Sequence, residues 1–102
     1  MKPVTVINRL AIKPGVIDEF IEAQLNYAST LVEKPTGLIG SRLYRGLDGR
    51  TVVLVSQFES VKAQEEIFHL PSFKENLSKL QTFVESSSPA IYEEEYTTGG
   101  FK

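Results

Sequence analysis

At 102 residues, with 41% hydrophobic and 24% charged residues, the chain has the make-up of one globular domain spanning residues 1–102, because a core this small does not divide. A net charge of −2 argues against a nucleic-acid partner, which calls for a basic stripe that displaces counterions. Zero cysteines exclude disulfides, thiol nucleophiles and thiolate-held metals, and a single histidine, His69, excludes a histidine-rich metal site within one chain.

Residues 4 to 12 alternate as a β-strand. Val4, Val6, Asn8, Leu10 and Ile12 share one face, and Thr5, Ile7, Arg9 and Ala11 share the other. Lys13-Pro14-Gly15 breaks the strand, and from Val16 the period becomes helical. Ile17, Phe20, Ile21, Leu25, Ala28, Leu31 and Val32 form the apolar stripe, with Asp18, Glu19 and Glu22 in the early turns where the helix dipole favours acids. Lys34-Pro35-Thr36-Gly37 is the expected stop.

Leu38 to Arg45 and Thr51 to Glu59 read as strands two and three, joined through Asp48-Gly49, a strong hairpin signal. Ser60 is placed to cap a short helix through about Phe68, which Leu70-Pro71 interrupts. Ser72-Phe73-Lys74-Glu75 has the spacing of a capping box for a further helix, with Phe73, Leu77, Leu80 and Val84 along one stripe. Ser86 to Pro89 reads as a linker, and Ala90 to Thr97 as the last strand.

The order β-α-β-β-α(α)-β predicts a ferredoxin-like α+β fold, an antiparallel sheet with helices on one face. The other face carries Ile7, Val53 and Val55. Left open, that apolar surface is too large for a monomer, so a homodimer through the sheet face is expected. No apolar run approaches the roughly 20 residues of a membrane span, and the N-terminus lacks the apolar core of a signal peptide. The expectation is a cytoplasmic protein with no membrane partner.

Several segments carry a family resemblance: "IKPGVIDEFIEA" after the first strand, "PTGLIGSRLYR", the Asp-Gly hairpin, and "VSQFESVKAQEEI" leading to "LPSFKENLSKL". Together they resemble the antibiotic biosynthesis monooxygenase family, whose members are dimeric α/β barrels of two ferredoxin-like protomers. The family includes cofactor-free oxygenases of aromatic and quinol-type molecules and haem-degrading monooxygenases. "INRLAIKPG" is similar to the opening strand of the haem-degrading branch, with Asn8 at its pocket position. That branch also requires a histidine where this chain has Leu77 and a tryptophan where it has Ile67. Leucine cannot ligate iron, so the branch is disfavoured.

What the resemblance then implies is a monooxygenase acting with dioxygen on a small aromatic, phenolic or quinone-like ligand, with no cofactor. A non-catalytic ligand-binding or stress-associated dimer is the alternative. Asn8 is the candidate for orienting an oxygen-bearing group. His69 is the candidate for proton transfer, since imidazole is the side chain that ordinarily titrates near neutrality. Phe58, Phe68, Phe73 and Leu77 are the expected pocket walls. Tyr27, Tyr44, Tyr92 and Tyr96 read mostly as core or interface aromatics, with one of the four, not singled out by the sequence, as a candidate to line the pocket.

Overall fold

Alternation in the first strand decides where the core lies. In the computed structural model, which describes residues 2–31 and 37–101, β1 (Val4–Ile12) buries Val4, Val6, Leu10 and Ile12 and turns Ile7 and Arg9 the other way. Then follow α1 (Ile17–Leu31), β2 (Leu38–Arg45), β3 (Thr51–Phe58), α2 (Val61–Phe68), α3 (Pro71–Leu80), a 3-10 turn over Gln81–Phe83, and β4 (Val84–Tyr92). The four strands form one antiparallel sheet in the order β2-β3-β1-β4. β1 and β2, joined by α1, both run antiparallel to the β3 that separates them. This is the split βαβ arrangement of the ferredoxin-like fold. The expected helix stop at Lys34-Pro35-Thr36, and Val32 before it, lie outside the described residues.

Two apolar clusters fill the space between sheet and helices. Val4, Val6, Phe58 and Ile67 form one, with Leu38 and Phe68 against it. Leu10, Ile12, Phe20 and Val52 form the other, extended by Leu43, Leu80, Phe83 and neighbours. Asn8 lies on β1 between Val6 of the first cluster and Leu10 of the second, opposite Leu54 on β3 and Pro89 on β4. The core is therefore interrupted where the strand places its amide.

Local signals account for most of the joints. Ser60 caps α2 as its position predicts: its hydroxyl oxygen accepts from the Ala63 backbone N–H at 3.1 Å. In the hairpin, the Asp48 carboxylate accepts from the backbone N–H groups of Arg50 (2.9 Å) and Thr51 (3.0 Å) and from the Thr51 hydroxyl (2.8 Å). Gly37 begins the approach of β2 to α2 at φ +99°, and a Cβ there would lie 2.6 Å from that of Ala63. Only glycine fits both the conformation and the space.

Three expectations are corrected. The third helix starts at Pro71, not at a capping box. Proline at its first position needs no N–H partner and holds Leu70 extended (φ −66°, ψ 135°), so Ser72 falls inside the helix. The last strand runs from Val84 to Tyr92 rather than from Ala90 to Thr97. Ser86, Ser87 and Ser88 pair with Ala11, Leu10 and Arg9, and the edge position of β4 tolerates Pro89. Glu93, Glu94 and Glu95 follow the strand, with Glu93 paired to Lys2 at 3.1 Å. Finally, Leu25 is 60% exposed and does not belong to the buried stripe of α1.

The sheet face away from the helices carries Ile7, Val53 and Val55 beside Tyr44 from β2 and Tyr92 from β4, both about half exposed. Near this face the Arg42 guanidinium stands 5.9 Å from the centre of the Phe101 ring.

Candidate functional site

Where the two clusters part, a cavity of about 280 Å³ opens between sheet and helices. β1 contributes Val6, Asn8 and Leu10 to its floor, and β3 contributes Leu54, Ser56 and Phe58. α1 lowers Phe20, Gln24 and Tyr27 onto it. Phe68 from α2, with Phe73, Asn76 and Leu77 from α3, completes the enclosure.

The helix break at Leu70-Pro71 builds one wall. Phe68 and Phe73 stack at 4.6 Å between ring centres and 13° between planes. Phe58 meets Phe68 edge-on at 6.1 Å, and Tyr27 meets Phe73 edge-on at 6.5 Å. A continuous series of aromatic contacts thus runs from β3 through both helices to α1.

The polar groups of the cavity are nearly all uncharged. Among the described lining residues there is no lysine, arginine, aspartate, glutamate or histidine. Tyr27 is the ionisable one, and burial pushes its hydroxyl above the ordinary tyrosine range, so it is a proton-bearing group at neutral pH. Asn8 Oδ1 and Gln24 Oε1 are buried with no hydrogen-bond partner among the described residues. A buried carbonyl oxygen without a donor is unfavourable, by roughly 1–3 kcal/mol, and marks a place where another molecule supplies one.

Of the residues expected at the site, Asn8, Phe58, Phe68, Phe73 and Leu77 all line this cavity. His69 does not. It is exposed at the C-cap of α2, with its ring Nδ1 2.6 Å from the Glu65 carbonyl oxygen, in a shallow surface depression beside Lys62, Glu65 and Glu66. That carbonyl can only accept, so Nδ1 carries the hydrogen. The structure therefore sets His69 apart from Asn8 and the cavity. Ile67 and Leu77, at the two positions where haem degradation requires tryptophan and histidine, are cavity residues. With no imidazole among the described lining side chains, the walls do not fit a histidine-ligated haem.

Gln24 is the residue that sequence reasoning passed over. It lies four positions after buried Phe20 and four before Ala28, on the face over the cavity. An interruption of the apolar stripe by a glutamine at that spacing was the available signal. The neighbouring Leu25 obscured it.

Beyond geometry, a family model described as antibiotic biosynthesis monooxygenase matches residues 3–77. The chain belongs to that family. No curated protein matches the sequence. Among solved structures, SnoaB, a cofactor-independent oxygenase from Streptomyces nogalater, superposes with a TM-score of 0.84 at 20% identity, covering 95% of this chain and 97% of that one. A conserved protein from Methanosarcina mazei Go1 gives 0.82 at 16% identity over 93% and 95% of the two chains. Rv0793 from Mycobacterium tuberculosis gives 0.81 at 17% identity over 96% and 100%. At these identities the likeness is one of fold. The antibiotic biosynthesis monooxygenase match spans β1 to the middle of α3, so it includes Asn8, Gln24, Phe58, Phe68, Phe73 and Leu77, and it stops short of the β4 residues that close the cavity.

Proposed function

We propose that this protein is a monooxygenase that oxidises a small aromatic, phenolic or quinone-like compound with dioxygen and without a cofactor, as a cytoplasmic homodimer. The observation that carries the reading is the cavity itself: an aromatic wall and, in the same space, the buried Asn8 carbonyl oxygen that has no partner among the described residues. Family membership and the fold likeness to a cofactor-independent oxygenase support it. The open apolar sheet face of Ile7, Val53 and Val55 supports the dimer.

The chemistry asks little of the protein. An electron-rich phenol with a free ring carbon and one dioxygen give a quinone and one water. The ring loses four electrons, a C–O bond replaces a C–H bond, and the O–O bond breaks. One oxygen atom becomes the new carbonyl and the other leaves as water, so no outside reductant is consumed. Asn8 orients the ring oxygen by hydrogen bonding, and its amide N–H can follow negative charge as it develops there. The aromatic wall fixes the ring plane and keeps bulk water away. Tyr27, held in its protonated form, can donate to an anionic or peroxidic oxygen.

Oxygen uptake tests the reading. Purified protein incubated with a panel of phenols and naphthols should consume one dioxygen per quinone formed, and Asn8→Ala should lower the rate. Uptake no faster than the uncatalysed background with every member sinks it. One observation favours a second reading, a non-catalytic binding dimer: no described lining residue is a general base of ordinary neutral-range pKa. Saturable binding of the same panel without turnover would select that alternative.

A further inference from the structure

The proposed chemistry uses one amide, but of the four amide side chains that line the cavity, those of Asn8, Gln24, Asn76 and Gln81, both Asn8 and Gln24 hold a buried carbonyl oxygen. Asn8 rises from the sheet and Gln24 descends from α1, so a ligand between these layers meets an amide on each side. Both carbonyl oxygens are buried without partners among the described residues. An amide oxygen accepts only, its NH2 donates only, and a hydroxyl does both, so a hydroxyl satisfies either amide whichever way its plane is turned. Any water that reaches the cavity can hydrogen-bond the same amides. A ligand that displaces it must replace both sets of hydrogen bonds or lose affinity.

Charge and size narrow the ligand further. With no cationic or carboxylate side chain among the described lining residues, neither an anion nor a cation finds a counter-charge. The cavity measures about 280 Å³. An engineered apolar cavity of about 150 Å³ accepts benzene, so this one has room for more than a single ring.

We infer that Gln24 is a second substrate-positioning residue, and that Asn8 and Gln24 together select an uncharged bicyclic arene carrying two hydroxyl groups. The inference deepens the proposed function and rests on it for the reaction, though not for the binding. A naphthalenediol with a free ring carbon and one dioxygen give a hydroxynaphthoquinone and one water. The ring again supplies all four electrons, and water carries away two of its hydrogens.

The test measures anaerobic binding of 1,4-dihydroxynaphthalene, 1-naphthol and naphthalene to the native chain, Gln24→Leu and Gln24→Met. Tyrosine fluorescence or calorimetry reads the affinity. The native chain should prefer the diol over the naphthol by about tenfold or more, the scale of one unsatisfied buried hydrogen bond. Either substitution should lower diol affinity about tenfold, leave naphthol within about twofold, and so bring the diol-to-naphthol ratio near one. If Gln24→Leu does not fold, the unbranched Gln24→Met, checked by circular dichroism, decides. Equal native affinity for diol and naphthol, an equal loss for both in Gln24→Met, or binding of none of the three overturns the inference. An aerobic arm separates it from the oxygenase reading. Gln24-dependent diol binding with no dioxygen uptake upholds the ligand assignment and overturns the oxygenase. Diol turnover that Gln24→Met leaves unchanged does the reverse.

Discussion

Phe68 and Phe73 stack face to face across the break between α2 and α3, at 4.6 Å and 13°. A continuous helix would set residues five apart on different faces, whereas Leu70, extended before Pro71, folds the chain back so that the rings meet. The break therefore makes the cavity wall. Phe73→Ala removes this stack and the edge contact to Tyr27. A fully buried Phe→Ala substitution is destabilising by about 3–5 kcal/mol, and the half-buried Phe73 should lose about 2–3 kcal/mol in urea denaturation. A loss under about 0.5 kcal/mol would show that the wall does not hold the two helices together.

Asn8 should oppose stability and function. Its Oδ1 is buried without a partner among the described residues, between Val6 and Leu10 on an otherwise apolar strand face. Asn8→Leu removes that unpaired acceptor and adds apolar contact. We expect the denaturation midpoint to rise, by about 1 kcal/mol, while phenol affinity or turnover falls about tenfold or more. A variant that loses stability would mean that the amide serves the fold.

β1, β2, β3, α1 and α2 were legible because each is local: alternation for β1 and β3, Asp48-Gly49 for the hairpin, Ser60 for the cap. The ring positions of the site followed from the same patterns, since Phe58, Phe68 and Phe73 lie on buried stripes beside a visible break. What failed was set by tertiary position. Three serines and a proline in β4 look like a linker until Ala11, Leu10 and Arg9 pair with the serines at a sheet edge. Gln24 and Leu25 differ by a 100° turn of α1, and only the placement of the helix on the sheet decides that the glutamine enters the cavity. His69 drew notice for its chemistry, and its position at the outer end of α2 could not be read from a single imidazole.

Catalysis should be indifferent to His69. Its ring is tied to the Glu65 carbonyl outside the cavity, and the cavity's own ionisable group, Tyr27, is held protonated by burial. His69→Ala should keep the native rate within about twofold, against the 10²–10⁴-fold expected on removing a general base. Without a carboxylate or imidazole among the described lining residues, the rate should climb with pH as the substrate hydroxyl ionises. A rate that falls by 10²-fold or more in His69→Ala would reinstate the imidazole.

The hairpin carries its own pH dependence. Hydrogen bonds from the Arg50 backbone N–H, the Thr51 hydroxyl and the Thr51 backbone N–H hold the Asp48 carboxyl below its ordinary value. A depressed pKa stabilises the fold above the unfolded value, and that contribution is lost as pH falls through the folded one. Asp48→Asn should therefore be less stable than the native chain at pH 7, and the gap should close below about pH 4, where the free carboxyl is protonated. Urea midpoints at pH 7 and pH 3 measure it. A gap that persists unchanged at pH 3 would assign the effect to turn geometry rather than charge.

The open sheet face gives the last prediction. Val55 lies on β3 between Ile7 of β1 and Arg42 of β2, directed away from the helices, so a charge there leaves both apolar clusters untouched. If two copies meet through this face, Val55→Asp buries a charge from each copy in an apolar interface, at a cost of several kcal/mol. Sedimentation should then find the native chain dimeric and Val55→Asp monomeric, with unchanged helix content by circular dichroism. Each protomer holds its own Asn8, Gln24 and aromatic wall on the opposite side of the sheet. Ligand binding by the monomeric variant should therefore persist within about threefold, or about 0.7 kcal/mol. A monomeric native chain would refute the dimer. A larger loss of binding would mean that pairing of the sheets also shapes the cavity behind them.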